Sequence, residues 1–254
     1  MTARLAKTLS SVVVATMTAA CSGYYEIPIE TPIRPKLDVS AFQRVLVAGF
    51  IAGGTEDVDG NLETTRLLRS QLRTKSEMRV IDSDVLPLVD VAVESRATNG
   101  TPSDTSAAPG AIREDEDLEP YEHLFADVEY WKRIGEEYQQ PLIVTGTVMF
   151  APQARSGIVQ RDQEVYDSFG RRRVVPVRTY MERKGFVLKP RFVFIDGRTG
   201  TVLHSENFRE EVLYNANQTS PALSSYFELM DRLIPSFLST LSSQTIRGSR
   251  VLLQ

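Results

Sequence analysis

Leu142-Ile143-Val144-Thr145-Gly146-Thr147-Val148-Met149-Phe150 is the most strand-like run in the 254-residue chain. It is apolar, β-branched and free of charge, which suits a strand buried in the middle of a sheet. Gly146 interrupts it, and a glycine inside a strand marks a bulge or a close backbone approach. Pro141 stands just before it and ends whatever helix precedes. From Tyr121 to Gln140, Leu124, Phe125, Val128, Trp131, Ile134 and Tyr138 recur at steps of three and four, so a helix leads into the strand with Trp131 on its core side.

Working outward toward the N-terminus, Val45-Leu46-Val47-Ala48-Gly49-Phe50 is a second buried strand, closed by Ala52-Gly53-Gly54 as loop punctuation. Leu62 to Thr74 carries Leu62, Thr65, Leu68 and Leu72 on one side and arginines on the other, the pattern of an amphipathic helix. Met78 to Asp82 follows as a strand, and strand-helix-strand implies a parallel crossover. Between Ser95 and Glu119 the composition changes to Thr, Asn, Gly, Pro, Ser and Ala, then the acid run Glu114 to Asp117. Residues 95–119 therefore read as a disordered acidic insertion.

Toward the C-terminus, Gln163 to Asp167 and Val174 to Met181 flank Ser168-Phe169-Gly170, a protruding hairpin within a basic segment, residues 155–184. Gly185 to Ile195 is a strand, Asp196-Gly197-Arg198-Thr199-Gly200 a tight turn and Thr201 to Leu213 the return strand. Ser220 and Pro221 open a long helix, apolar from Leu223 to Leu241, in which Pro235 should place a kink. The expected fold class is α/β, a single mixed β-sheet packed by two to three helices. The order is strand, helix, strand, helix, strand, hairpin, strand, strand, helix.

The N-terminal segment has Arg4 and Lys7, a short apolar stretch and small residues before a cysteine, the layout of a secretory signal over residues 1–20. Met17-Thr18-Ala19-Ala20-Cys21 resembles the lipobox of bacterial lipoproteins, with Thr18 departing from the usual leucine. That resemblance implies that Cys21 carries the lipid anchor, and Ser22 beside it points to the outer membrane, periplasmic face. A free cysteine near an ordinary cleavage site is the alternative reading. Cys21 is the single cysteine, so no intramolecular disulfide forms. Residues 21–42, with three prolines, read as a lipidated extended tether, and residues 43–248 as the α/β periplasmic domain.

Leu142-Ile143-Val144-Thr145-Gly146-Thr147-Val148 and the stretch from Phe194 to Leu203 together resemble a known periplasmic domain. It is shared by the curli-secretion channel lipoprotein, the lipoprotein activators of penicillin-binding proteins and the N-terminal part of the Tol-system β-propeller protein. The likeness covers roughly residues 43–242, and its motifs are structural: Asp196 and Gly200 form a turn.

Twenty-nine basic and 33 acidic residues give a net charge of −4, and loss of Arg4 and Lys7 with the signal takes it to −6. Nothing in this balance points to nucleic acid. His123 and His204 lack the spacing of a zinc site, and neither a phosphate loop nor a Gly-x-Ser-x-Gly elbow occurs. No catalytic residue, metal or cofactor is expected. Charge is segregated, however, with ten basic residues against four acids between Arg155 and Arg191, and twelve acids against four basic residues between Glu94 and Glu137. The candidate partner-binding residues are Arg171, Arg172, Arg173, Arg178, Arg183 and Lys184. They would face an envelope protein, an anionic envelope polymer such as lipopolysaccharide, or the acidic region of a second copy in a homo-oligomer. These features lead to the expectation of a non-enzymatic adaptor or regulator of an envelope assembly or secretion machine. The alternative is a subunit of an oligomeric curli-type export pore, for which one hairpin per chain is too few.

Overall fold

The computed structural model describes residues 24–98, 112–215, 218 and 220–253. Cys21 and the signal region lie outside the described residues. The chain divides into two compact units, one running from Lys36 to Leu241 and the other made of the two ends.

In the larger unit, β2 (Arg44–Gly54), β3 (Arg79–Val80), β4 (Leu142–Tyr166), β5 (Arg172–Asp196), β6 (Val202–Asn207) and β7 (Glu210–Asn215) form one sheet. Its order is β3-β2-β4-β5-β6, with β7 beside an earlier stretch of β5. The pairs β2/β3 and β2/β4 are parallel, and those of β5 with β4, β6 and β7 are antiparallel. The helices are α1 (Gly60–Lys75), α2 (Leu88–Thr98), α3 (Val128–Glu137) and α4 (Ala222–Leu241), with a 3-10 helix over Asp115–Ala126. The larger unit is thus α/β with a single mixed sheet, and its helices exceed the two to three expected.

Period-2 alternation along the strands sends apolar residues to both faces, so the sheet is buried on both sides near its centre. On one face Val47, Val144, Val148, Phe192 and Phe194 meet Leu68 and Leu72 of α1 and Tyr226, Leu229, Leu233 and Phe237 of α4. Phe192 packs edge-on against Phe50 at 5.8 Å and Phe237 at 4.8 Å between ring centres. On the other face Leu46, Ile143, Met149, Val193 and Ile195 meet Leu88 of α2, Leu118 and Leu124 of the 3-10 helix, and Trp131 and Ile134 of α3. A register shift between Val47 and Gly49 breaks the alternation of β2, so Phe50 and Ile51 sit on faces opposite to those a regular count would give. Each fully buried Leu, Ile or Phe contributes roughly 1.5–3 kcal/mol of transfer free energy.

Helix starts are capped as the sequence dictates. Asp59 accepts from the amide of Leu62 at 2.9 Å, and Asp127 from that of Tyr130 at 3.0 Å. At α4 the helix begins one residue later than the sequence reading placed it, at Ala222, and the carbonyl of Pro221 just before it accepts from the amide of Ser225 at 3.1 Å. Gly146 has φ +144°, and a Cβ there would lie 1.8 Å from the carbonyl oxygen of Arg191, so β4 and β5 approach as closely as they do only because this residue is glycine.

Several expectations are corrected. The acidic insertion read over residues 95–119 is ordered at both ends. α2 continues to Thr98, Ile112 is buried with its carbonyl accepting from the amide of Gly54 at 2.8 Å, and Leu118 is in the core. Residues 99–111 lie outside the described residues. Ala52-Gly53-Gly54 belong to β2 and do not form a loop. The helix read from Tyr121 to Gln140 is a 3-10 segment followed by α3, because Asp127 starts a new cap between them. The return strand from Thr201 divides into β6 and β7 at Phe208, whose amide donates to the carbonyl of Pro190 at 2.9 Å.

The smaller unit is an antiparallel ribbon of β1 (Tyr24–Ile33) and β8 (Gln244–Leu253), ten residues each. The stretch read as a tether is extended, as its prolines favour, but has a strand partner at the other end of the chain. An exposed pair at 3.0 Å joins Arg247 to Glu30. No helix among the described residues is long and apolar enough to cross a membrane.

Candidate functional site: a two-stranded arm

The core strands do not stop at the edge of the core. β4 and β5 are 25 residues each and pair without a register shift from Leu142↔Asp196 to Tyr166↔Arg172. The sequence reading placed a separate hairpin between two core strands, whereas the hairpin is the continuation of those strands. β2 ends opposite Phe150 and β7 ends opposite Arg183. Beyond these points an arm of about 11 residues per strand, roughly 35 Å long, pairs with no third strand among the described residues.

The tip is built by one carboxylate. Asp167 accepts from the amides of Phe169 and Arg171, each at 2.9 Å, and from Arg171 Nε at 2.9 Å. The amide of Arg171 above all, helped by that of Phe169 and the guanidinium, holds the Asp167 carboxyl below the usual carboxylate range against the opposing effect of desolvation. Gly170, with φ +73°, completes the turn. Phe169 is 81% exposed, and the Arg171 guanidinium lies over its ring at 5.4 Å. Tyr166, Val174 and Val175 beside the tip are also exposed.

The six candidate binding residues do not form one patch, because alternation deals them to two faces. Arg172, Arg178 and Lys184 lie on one, Arg173 and Arg183 on the other, and Arg171 is in the turn. Several are already paired within the chain: Arg171 with Asp167, Arg172 with Glu164 at 2.6 Å and Lys184 with Glu182 at 3.2 Å. Arg183 stands directly opposite Arg155, which reaches Glu211 of β7 at 2.9 Å. Among the described residues Arg161, Arg173 and Arg178 have no ion-pair partner within 4 Å. Nearer the core, Arg191 meets Glu122 at 2.6 Å and Lys189 meets Asp115, so part of the basic segment is neutralised by the acidic segment of the same chain. Exposed pairs of this kind contribute about 0–1 kcal/mol each.

Sequence reasoning missed the aromatic character of the tip. Tyr166 and Phe169 bracket the turn-forming Asp167, and two aromatics at a turn were the signal available. The histidines are held locally. His123 bonds the hydroxyl of Ser95 and the carbonyl of Pro120, each at 2.9 Å, and His204 lies 3.4 Å from Glu206. Among the described residues no group of three or more His, Cys, Asp or Glu is placed to hold a metal ion.

No family model and no curated protein matches the chain. Among solved structures it is similar to lipoprotein GNA1162 from Neisseria meningitidis, at 12% identity and a TM-score of 0.35, over 77% of this chain and 97% of that one. It is similar to a putative neuraminyllactose-binding hemagglutinin homolog from Helicobacter pylori, at 9% identity and a TM-score of 0.34, over 83% and 88%. It is also similar to the LpoB C-terminal domain from Escherichia coli, at 9% identity and a TM-score of 0.26, over 68% and 87%.

Proposed function

We propose that the protein is a non-enzymatic envelope adaptor, tethered to the periplasmic face of the outer membrane through a lipid on Cys21, whose arm engages an envelope protein or an anionic envelope polymer. The observation that carries this reading is the arm itself. An isolated two-stranded ribbon is marginal in water, yet this one rises without a break from a packed core and ends in an exposed aromatic covered by the Arg171 guanidinium. An exposed aromatic such as Phe169 is what a contact surface needs, and Arg173 and Arg178 are free to pair with an outside anion.

Replacing Arg171, Arg172 and Arg173 together by glutamine tests the reading. Capture of the crosslinked envelope partner should weaken and lose its salt dependence, while the unfolding midpoint stays within what surface substitutions allow, about 0.5 kcal/mol each. Cys21→Ser should move the chain out of the membrane fraction and abolish labelling by an alkynyl fatty acid. A wild-type chain that takes no label, or capture indifferent to both salt and the triple change, would refute the corresponding half.

A second reading, a subunit of an oligomeric export pore, is favoured by the β1/β8 ribbon, because two ribbons of 10 to 11 residues per strand are present where the sequence showed one. Strands of that length suit a membrane barrel. Against it, Arg161 and Gln163 lie in the middle of the more apolar face of the arm, where an arginine at the bilayer midplane costs about 2–4 kcal/mol. Channels in planar bilayers would decide for the pore.

A further inference from the structure

The arm has two long edges, and they are not equivalent. The carbonyl of Pro141 accepts from Gly197 across the β4/β5 ladder, whereas those of Phe150 and Pro190 turn outward to Thr55 and Phe208. With no register shift, every even-numbered residue of both strands therefore directs its N–H and C=O away from the partner strand. On β5 this puts Pro176, which has no N–H, in the middle of the outer edge and interrupts it. On β4 the outer edge meets Pro152 just past the end of β2 and then runs without interruption from Ala154 to Tyr166, with free donors and acceptors on alternate residues.

We propose that this β4 edge pairs antiparallel with the same edge of a second copy of the chain, about a twofold axis at Gln160. The proposal rests on the reading of the arm as an interaction element and adds a second copy as the occupant of its free β4 edge. The register follows from charge and length. Centring on Ile158 would set Arg155 against the partner's Arg161, centring on Arg161 would set it against itself, and centring on Asp162 would do the same for that carboxylate. Centring on Val159 would drive the partner's Phe169 opposite Met149, where Gly53 of β2 already pairs. Centring on Gln160 avoids all four and stops the partner's Ser168 opposite Pro152, one residue short of the strand already there.

In that register the partner's Arg171, Arg172 and Arg173 arrive beside the loop that follows β2, whose Glu56, Asp57 and Asp59 are exposed. The basic tip of each copy thus meets the acidic base of the other. About fourteen main-chain hydrogen bonds form along the shared edge, and two marginal ribbons become one four-stranded sheet. Pro176 then lies on both outer edges, which ends growth at two copies.

The test uses the full chain carrying Cys21→Ser, so that no native thiol interferes. Sedimentation should give a concentration-dependent dimer. Gln160→Pro removes an outward N–H and no donor of the β4/β5 ladder, and should weaken self-association roughly tenfold to a hundredfold, through loss of central hydrogen bonds, with the circular dichroism spectrum unchanged. Gln160→Cys should crosslink to itself on mild oxidation, since opposed residues in such a pair lie about 5.5 Å apart at Cα, and Arg178→Cys on the other edge should not. A chain that stays monomeric to ~100 µM, larger rings, or a dimer that Gln160→Pro leaves intact would overturn the proposal. A monomer that still captures an envelope partner through the tip arginines would overturn the dimer alone and leave the adaptor standing.

Discussion

Trp131→Ala is the substitution whose cost can be worked most fully from the structure. The side chain is completely buried between α3 and the sheet, in the core that holds Leu124, Ile143 and Ile195. Its ring meets Tyr130 edge-on at 4.9 Å, and Nε1 donates to the carbonyl of Leu124 at 2.8 Å. Truncating a buried Trp costs about 3–5 kcal/mol through lost transfer energy and the cavity, and stranding a buried carbonyl adds roughly 1 kcal/mol or more. The sum, about 5 kcal/mol, is comparable with the whole stability of an ordinary domain. Trp131→Phe separates the two parts, since it keeps most of the ring and loses the bond, and should cost about 1–2 kcal/mol. Urea unfolding followed by far-ultraviolet circular dichroism is the assay, because Trp131 is the single tryptophan and fluorescence disappears with it. A loss below about 1 kcal/mol for the alanine variant would refute the account of this core.

Ile112→Ala should cost about 2–4 kcal/mol as a core truncation, and deleting residues 97–115, which removes Ile112 and the Asp115 partner of Lys189, should lower the melting temperature by several degrees. An unchanged melting temperature would show that Ile112 does not pack. Asp196 is nearly buried, which raises its pKa, but the hydrogen bonds and charge of Arg198 outweigh burial and leave it lowered from 3.8. A lowered native value stabilises above the unfolded pKa and is lost as pH falls through the native one. Asp196→Asn should therefore destabilise near neutrality by about 1–3 kcal/mol, with the gap to wild type closing as the pH falls below 3.8 and through the lowered native value. A gap that stays constant from neutrality down into the acid-unfolding range would sink that explanation.

What was legible in the sequence was the part governed by a single period. Leu142 to Phe150 reads as a buried strand because both faces are covered, and Trp131 falls on the apolar stripe of its helix. The turn from Asp196 to Gly200 announces itself by residue type. The arm was read as a short hairpin because Gln160, Arg161, Asp162, Gln163 and Glu164 show no apolar alternation once both faces meet solvent, so hydrophobic pattern cannot report a strand there. α2 escaped notice because only Leu88 and Ala92 are buried among those of its residues whose burial is described. The pairing of β1 with β8 joins segments more than two hundred residues apart, and neither carries a local sign of its partner. The candidate arginines were found as a cluster in sequence, but alternation separated them in space.

The uninterrupted ladder from Leu142 to Tyr166 also makes the arm's length come in steps. Removing one residue from β4 anywhere between Ala151 and Val165 would rotate everything distal to the deletion by half a turn about the strand, exchanging Arg161 and Val159 with Asp162 and Ile158 and carrying the tip out of line with β5. Removing two residues from each strand would shorten the arm by about 7 Å and leave every remaining side chain on its original face. Variants of this protein with longer or shorter arms should therefore differ by matched pairs of residues, two on the outgoing strand and two on the return.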